Sequence, residues 1–237
     1  ILKIENGLLP AVVIENEDSV SYSILERMQY YDVPGLSIAI INDNKIEWAK
    51  SYGVKEKGTT DIVTLNTMFQ AASMSKPITG IVAVSLAEQG KLDLYSPVNE
   101  QLTSWQIPEN EFTEKTAVTP ELLLMHMGGI NVHGFHGYSA SDTIPTIIDI
   151  LNGTSPANSE PMEVVFEPGT KWDYSGGGYT ILQLLMEDVS GKSFPQLMKE
   201  SLFDPLGIKN STFSHNLSKS EEESIAAINN GEINPGD

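Results

Sequence analysis

The chain contains no cysteine among its 237 residues. This absence excludes disulfide bonds, catalysis by a thiolate and zinc sites built on cysteine. Positive charge is also scarce, because 14 lysine and arginine residues stand against 32 aspartate and glutamate residues, for a net charge of −18. A field of this sign repels phosphate backbones and anionic lipids. We therefore expect no nucleic-acid partner, and we expect neutral or cationic small molecules as ligands.

Long hydrophobic runs are missing as well. The longest apolar stretches lie around residues 36–41 and 78–87, well short of the roughly 18 residues that cross a membrane as a helix. We therefore predict no membrane insertion. The hydrophobic fraction of 40% nevertheless suffices for a globular core. The sequence starts at Ile1, and we expect that an N-terminal segment was removed before that residue.

The N-terminal part of the chain predicts a helix followed by a hairpin. Helical spacing of apolar residues covers residues 23–31. Two β-rich runs within residues 36–54 flank a short polar turn, which predicts antiparallel strands with Ile46 and Trp48 on the buried face. Because a lone hairpin is marginally stable in water, we expect the sheet to need strands that this chain lacks.

The middle of the chain is predicted to be helical. Apolar side chains recur at helical spacing from a start near Ser73, and Gly90 supplies a stop. Further helices are predicted over residues 120–127, 144–151, 179–189 and 194–202. Gly191 is expected to end one of them.

A candidate nucleophile lies at the start of the first long helix. Ser73 and Lys76 stand three residues apart, which puts a hydroxyl and an amine on one helix face, near the N–H groups that favour developing negative charge. One such Ser-x-x-Lys spacing is expected about once by chance in a chain of this composition. The alternative is that Ser73 caps the helix and Lys76 is a solvated lysine.

A second candidate is the phenol of Tyr174, which precedes a run of three glycines. The glycines let the backbone turn tightly and display the tyrosine from a loop. Alternatively, this is a loop tyrosine packed on Trp172. The glycine run does not fit a phosphate-binding loop, because no Gly-Lys-Ser/Thr follows it.

Taken together, these motifs resemble a known enzyme family. The segments 69–77, 122–129, 174–179 and 204–208, in this order, are similar to those of the serine β-lactamase and penicillin-binding-protein-like hydrolases, with class C-like β-lactamases and esterases as the nearest members resembled. The resemblance also includes the hairpin region, and so covers nearly the whole chain.

The resemblance implies an α/β (α+β) fold with an antiparallel sheet flanked by helices and an inserted all-helical domain. The expected division is an N-terminal part of the α/β domain over residues 1–65, a helical domain over 66–215, and a polar segment over 216–237. The polar segment would lead toward a missing C-terminal part of the α/β domain. We expect further coding sequence after Asp237, with more strands and a third catalytic motif.

The resemblance also implies roles for individual residues. Ser73 would be the acylated nucleophile, Lys76 its proton acceptor, and Tyr174 the group that passes the proton to the leaving group. Gly176 and Gly177 are expected to bind substrate. Gly176 stands where the family often has asparagine, and this departure tilts the expected activity toward an esterase or peptidase.

Elementary chemistry requires these three side chains to lie close together. Lysine and tyrosine have reference pKa values near 10.4 and 10, so freeing either as a base at pH 7 costs about 4 to 5 kcal/mol without help from burial or a neighbouring charge. We therefore expect Ser73, Lys76 and Tyr174 to converge in a dry crevice. Which of Lys76 and Tyr174 is the base stays open.

The histidines offer a metal site as an alternative. His126, His133 and His136 with Asp142 nearby could ligate zinc, but no His-Glu-x-x-His spacing is present. Structural or site-lining roles are the competing interpretation, and we predict that no metal and no cofactor is needed.

The sequence thus predicts a metal-independent serine hydrolase that acts on a small ester, amide or β-lactam through a Ser73 acyl-enzyme. A catalytically impaired binding or sensor protein and a metal-dependent hydrolase are the alternatives. The chain's own C-terminal fragment is a further expected partner. Export to the periplasm or the exterior is expected from the resemblance to exported relatives.

Overall fold

The computed structural model describes residues 1–10, 12–15, 20–139 and 141–226. The chain divides into two compact units, one of Ile1–Gln70 together with the described residues from Asn216 onward, the other of Ala71–His215. Residues 227–237 of the predicted polar segment lie outside the described residues. The domain limits predicted from the sequence stay predictions.

Most of the regular structure is helical. The helices are α1 (Leu2–Glu5), α2 (Ile24–Tyr30), α3 (Ser75–Glu88), α4 (Val98–Gln101), α5 (Pro120–Leu124), α6 (Ile147–Asn152), α7 (Gly176–Ser190), α8 (Phe194–Met198) and α9 (Lys219–Glu222). A 3₁₀ turn over Ala72–Met74 precedes α3, and a π turn over Lys199–Phe203 follows α8. Among the described residues, no helix is long and apolar enough to cross a membrane.

The first unit contains the predicted hairpin. Strands β1 (Gly35–Asn42) and β2 (Lys45–Gly53) pair antiparallel and form a two-stranded sheet. The prediction that Ile46 is buried is wrong, because its side chain is 70% exposed while Trp48 is half-buried. A register shift at Ile40/Ile41 pairs Ile40 with Trp48 and Ile41 with Ile46. This bulge interrupts the simple alternation of faces on which the prediction relied.

Helix α2 follows its sequence signal closely. The Ser23 hydroxyl accepts the Glu26 N–H, and the Glu26 carboxylate accepts the Ser23 N–H. This reciprocal pair gives hydrogen-bond acceptors to two backbone N–H groups that have no partner within the helix. The helix predicted over residues 23–31 is confirmed over Ile24–Tyr30.

The core of the second unit is built around α7. Five consecutive or near-consecutive apolar side chains of this helix are fully or almost fully buried: Ile181, Leu182, Leu184, Leu185 and Met186. Helices α3, α4, α5, α6 and α8 all contact α7. Gly191 ends α7 with φ of 65°, a left-handed conformation that glycine adopts without strain, as predicted. The buried helix thus gives the segment before it, residues 172–175, a rigid support.

Two predicted helix limits change in a way that matters for chemistry. Helix α3 begins at Ser75 rather than near Ser73, because Ser73 lies in the preceding 3₁₀ turn. Helix α5 ends at Leu124 rather than at residue 127. Its end is closed by hydrogen bonds from the His126 and Met127 N–H groups to the carbonyls of Leu123 and Leu122, the pattern of a Schellman motif.

Candidate active site

Three side chains from distant parts of the second unit meet at one point. The Ser73 Oγ accepts a hydrogen bond of 3.1 Å from the Lys76 Nζ and one of 2.8 Å from the Tyr174 hydroxyl. The 3₁₀ turn and the first turn of α3 supply Ser73 and Lys76, whereas Tyr174 comes from the segment that enters α7. The sequence prediction that a hydroxyl, an amine and a phenol lie within contact distance is therefore confirmed.

The competing interpretation of Ser73 as a helix cap is wrong. The residue at the N-cap of α3 is Met74, and no side-chain hydrogen bond closes that end of the helix. The Ser73 hydroxyl instead contacts Lys76 and Tyr174. Lys76 is half-buried, and its ammonium lies 4.9 Å from the centre of the Tyr174 ring. Lys76 is therefore not the fully solvated lysine of the alternative interpretation.

The site is more open than the sequence analysis expected. Ser73 is exposed, and Lys76 and Tyr174 are half-buried rather than enclosed. The prediction of a dry crevice is therefore wrong for the described residues.

The protonation of Tyr174 is shifted by its neighbours. Burial by itself would raise the pKa of the phenol, but polar interactions with Lys76 and Ser73 together with the positive charge of Lys76 outweigh it. The net result is a Tyr174 pKa below its ordinary value of 10.0. A phenolate beside an ammonium is stabilised by their opposite charges. The arrangement therefore moves the phenol toward the range in which it accepts a proton.

The segment that carries Tyr174 is held by Ser175. The Ser175 Oγ accepts the Gly178 N–H at 2.9 Å and donates to the Val132 carbonyl, also at 2.9 Å. The first bond caps α7, and the second ties the cap to a neighbouring loop. Ser175 itself is buried, at 4% exposure.

The two glycines predicted to bind substrate lie beneath this surface. Gly176 and Gly177 are buried at the start of α7, and their N–H groups donate to the carbonyls of His133 and Val132. A Cβ at Gly177 would lie 2.5 Å from the Met162 sulfur. Close packing accounts for glycine at this position, and the role in substrate binding stays a prediction.

Aromatic and imidazole rings surround Tyr174. The His126 ring lies 4.3 Å from the Tyr174 ring and the His133 ring lies 5.0 Å from it, centre to centre. These contacts agree with the site-lining interpretation of both histidines. His136 is exposed. Among the described residues, no group of three histidine, cysteine or acidic side chains could hold a metal ion.

Sequence reasoning missed Tyr179. This residue lies on α7, its ring is 5.6 Å from the Lys76 ammonium, and its ring centre is 5.2 Å from that of His126. Burial and then the neighbouring Tyr174 raise the pKa of its phenol, so Tyr179 contacts the site as a neutral ring. The signal was available, because Tyr179 follows Gly176 by three residues and so shares its side of the helix.

Comparison with known proteins identifies the family. The model of the Beta-lactamase family matches residues 23–231. The chain therefore belongs to the beta-lactamase family, in which serine β-lactamases stand beside penicillin-binding-protein-like hydrolases. The family prediction and the predicted β-lactamase-like α/β fold are both confirmed.

Individual relatives agree with this assignment. The chain is 25% identical over 211 residues to protein flp of Staphylococcus aureus strain MW2, which covers 89% of this chain and 41% of that protein. It is 28% identical over 189 residues to a beta-lactamase of Pseudomonas fluorescens, which covers 79% of this chain and 48% of that enzyme. The structure of the octameric penicillin-binding protein homologue from Pyrococcus abyssi matches with a TM-score of 0.68 and 28% identity, over 86% of this chain and 45% of that one. The chain thus spans less than half the length of each of these relatives.

Proposed function

We propose that this protein is a serine hydrolase that transfers an acyl group through an ester at Ser73. The observation that carries the proposal is the convergence of the Lys76 amine and the Tyr174 phenol on one serine oxygen, at 3.1 and 2.8 Å. A serine hydroxyl is a weak nucleophile unless an adjacent base removes its proton. Two candidate bases lie within hydrogen-bond distance here.

In the proposed reaction, the Ser73 proton moves to the Lys76 amine or the Tyr174 phenolate while the Ser73 Oγ bonds to the substrate's carbonyl carbon. The bond to the leaving group then breaks, and the leaving group takes up the proton through Tyr174. Water later attacks the ester, releases the acid and restores the Ser73 hydroxyl. Either arrangement of the protons on Lys76 and Tyr174 gives Ser73 a base.

The proposed substrate class is a small ester, amide or β-lactam. The names of two relatives, a beta-lactamase and a penicillin-binding protein homologue, support a β-lactam as one member of this class. Gly176, where an asparagine amide would contact a β-lactam side chain, supports the tilt toward esters. The net charge of −18 favours neutral or cationic substrates over anionic ones.

The proposal is tested by hydrolysis of a chromogenic ester. Ser73→Ala should abolish turnover because it removes the nucleophile. Ser85→Ala is a matched control, since Ser85 is half-buried on α3 and its hydroxyl accepts a hydrogen bond from Gln89. Equal rates in the Ser73→Ala variant and the wild type would overturn the proposal.

A binding or sensor protein is the second candidate. The specific observation in its favour is the buried Gly176 in place of the family's asparagine. This candidate predicts that a β-lactam acylates Ser73 once and that the resulting ester is not hydrolysed. The comparisons do not support the chain's own C-terminal fragment as a partner. Export from the cytoplasm stays a proposal that rests on the resemblance alone.

A further inference from the structure

His126 is linked to both residues that flank Tyr174. Its backbone carbonyl accepts the Asp173 N–H at 2.8 Å, and its side-chain Nδ1 accepts the Ser175 N–H at 3.1 Å. The His126 ring also lies against the Tyr174 ring, with centres 4.3 Å apart. Tyr174 is therefore fixed from three directions by one residue. No other described residue makes both flanking hydrogen bonds.

The backbone of His126 is unusual for a residue with a side chain. It occupies the position after the α5 C-cap in the Schellman motif, where glycine is usual, and its φ is 59°. A left-handed conformation of this kind costs about 1 to 2 kcal/mol for a residue with a Cβ. Glycine would avoid this cost, but it would lack the imidazole contacts with Ser175 and Tyr174.

We infer that His126, as a neutral imidazole whose Nδ1 accepts the Ser175 N–H, is a positioning residue that holds the Tyr174 hydroxyl on Ser73. This inference depends on the proposed function in one respect: an effect of His126 on the acylation rate requires that Ser73 be acylated. The geometry itself, two hydrogen bonds around Tyr174 and a ring contact on it, is independent of whether Ser73 is acylated. His126 touches neither Ser73 nor the reacting atoms and so acts through Tyr174.

The hydrogen bond to Ser175 requires that Nδ1 carry no proton. An imidazolium has N–H groups at both ring nitrogens, so a protonated His126 would point a donor at the Ser175 donor. Protonation would also bring a positive charge near the Lys76 ammonium. Acidification through the pKa of His126 should therefore release the segment around Tyr174.

The surroundings of His126 favour the neutral ring. Burial is the main cause that lowers its pKa below the ordinary value of 6.5, and the positive charge of Lys76 is the second. The titratable or charged groups beside it are Lys76 from α3, Tyr179 from α7, and Tyr174 and His133 from the loops. Of these groups, Tyr179 has a pKa above its ordinary value of 10.0, so its phenol stays neutral at acid and neutral pH.

Two substitutions separate the functions of the side chain. His126→Phe keeps a ring against Tyr174 but removes the acceptor, and phenylalanine has no special tolerance for positive φ. His126→Asn keeps an acceptor oxygen near the place of Nδ1, accepts the left-handed backbone readily and does not titrate. The two variants differ in the acceptor, in the ring and in the tolerance of positive φ, while neither carries a charge.

The kinetic test is the acylation rate of Ser73 by a fluorophosphonate between pH 4.5 and 8. We expect His126→Phe to lower this rate at least tenfold at pH 7.5, and His126→Asn to recover most of the loss. The ratio of the wild-type rate to the His126→Asn rate should be constant above pH 6.5 and should fall as the pH drops through the His126 pKa, which lies below that value. The ratio removes the pH dependence of the group that accepts the Ser73 proton, which the two proteins share. A His126→Phe variant that reacts like the wild type, or a ratio of wild-type to His126→Asn rates that does not change with pH, would overturn the inference.

A second measurement does not depend on activity or on how well a variant folds. In the wild-type protein, the amide resonance of Ser175 should shift with the same midpoint as the His126 ring protons when both are followed by NMR against pH. A Ser175 amide that ignores the His126 titration would also overturn the inference. If the wild type does not react at Ser73, the proposed function is rejected. The NMR result then decides by itself whether His126 is linked to the Tyr174 segment.

Discussion

The Tyr174 hydroxyl lies 2.8 Å from the Ser73 oxygen although 101 residues separate them along the chain. Neither residue is brought there by its own local structure, because Ser73 lies in a 3₁₀ turn and Tyr174 in a loop. The packing of α3 against α7 brings the two segments together. The chemistry of the site therefore depends on the core of the second unit.

Removal of the Tyr174 hydroxyl should slow acylation. General acid–base catalysis by one side chain typically contributes about 10²- to 10⁴-fold, and we expect Tyr174→Phe to lower the acylation rate by about 10²-fold or more at pH 8. The measurement is a single-turnover burst with a chromogenic ester. Tyr95→Phe is the control, because Tyr95 is 72% exposed. A loss below threefold in Tyr174→Phe would argue against its role.

The pH dependence should reflect the lowered pKa of Tyr174. If the phenolate accepts the Ser73 proton, the acylation rate increases as the pH rises through the Tyr174 pKa, and its midpoint lies below 10.0. Lys76→Met removes the interaction that lowers this pKa, so the midpoint should move upward in that variant. Stopped-flow acylation between pH 7 and 11 measures both midpoints. Identical midpoints in the two proteins would count against coupling of the pair.

Two adjacent glycines should respond differently to alanine. At Gly177 a new Cβ would lie 2.5 Å from the Met162 sulfur and 3.1 Å from Ile130, whereas at Gly178 the nearest atom is 3.5 Å away. Since Met162 is 1% exposed, it has little room to move. We expect Gly177→Ala to destabilise the protein by about 1 to 3 kcal/mol through overpacking.

Gly178→Ala is the matched control for that substitution. Alanine in a helix is favoured over glycine by about 0.5 to 1 kcal/mol, so this variant should be neutral or stabilised. Urea unfolding measures both. Equal losses at Gly177 and Gly178 would mean that helix-start geometry, rather than the Met162 contact, determines the requirement for glycine.

The Asp188 carboxylate should contribute pH-dependent stability. It accepts hydrogen bonds from the N–H groups of Thr103 and Ser104, at 2.7 and 3.0 Å, and from the Ser104 hydroxyl. Burial would raise its pKa, but these bonds outweigh burial and hold the pKa below 3.8. The stabilisation is therefore complete above pH 3.8 and is lost as the pH falls through the folded-state pKa.

Asp188→Asn tests this contribution. The amide replaces one acceptor oxygen by a donor, so we expect a loss of about 2 kcal/mol at pH 7. The difference from the wild type should shrink at pH 2.5. Urea unfolding at the two pH values measures it, with Glu160→Gln as an exposed-carboxylate control. A difference that does not change with pH would show that the ionised carboxylate is not responsible.

Features set by local interactions could be predicted from the sequence. The capping box of α2 and the glycine that ends α7 depend on residues only a few positions apart. The exposure of Ile46 could not be predicted, because it depends on a bulge in strand pairing. The open environment of Ser73 depends on which elements surround it, and spacing along the chain carries no such information.

The candidate site shows the same division. Ser73 and Lys76 were recognisable by their spacing, and Tyr174 by the glycine run that follows it. The contacts of His126 were not, because a histidine in a left-handed position gives no sequence signal comparable to glycine. Its two hydrogen bonds around Tyr174 became visible only once α5 and the segment before α7 had been placed.

The central claim is that Ser73 forms a covalent ester with substrate. Its most direct test is mass spectrometry of the purified protein after reaction with a fluorophosphonate, in which the Ser73 oxygen bonds to phosphorus and fluoride leaves. We predict one adduct per chain, mapped to Ser73 and absent from Ser73→Ala. An unmodified Ser73 peptide in folded protein, or an adduct that persists in Ser73→Ala, would contradict the claim.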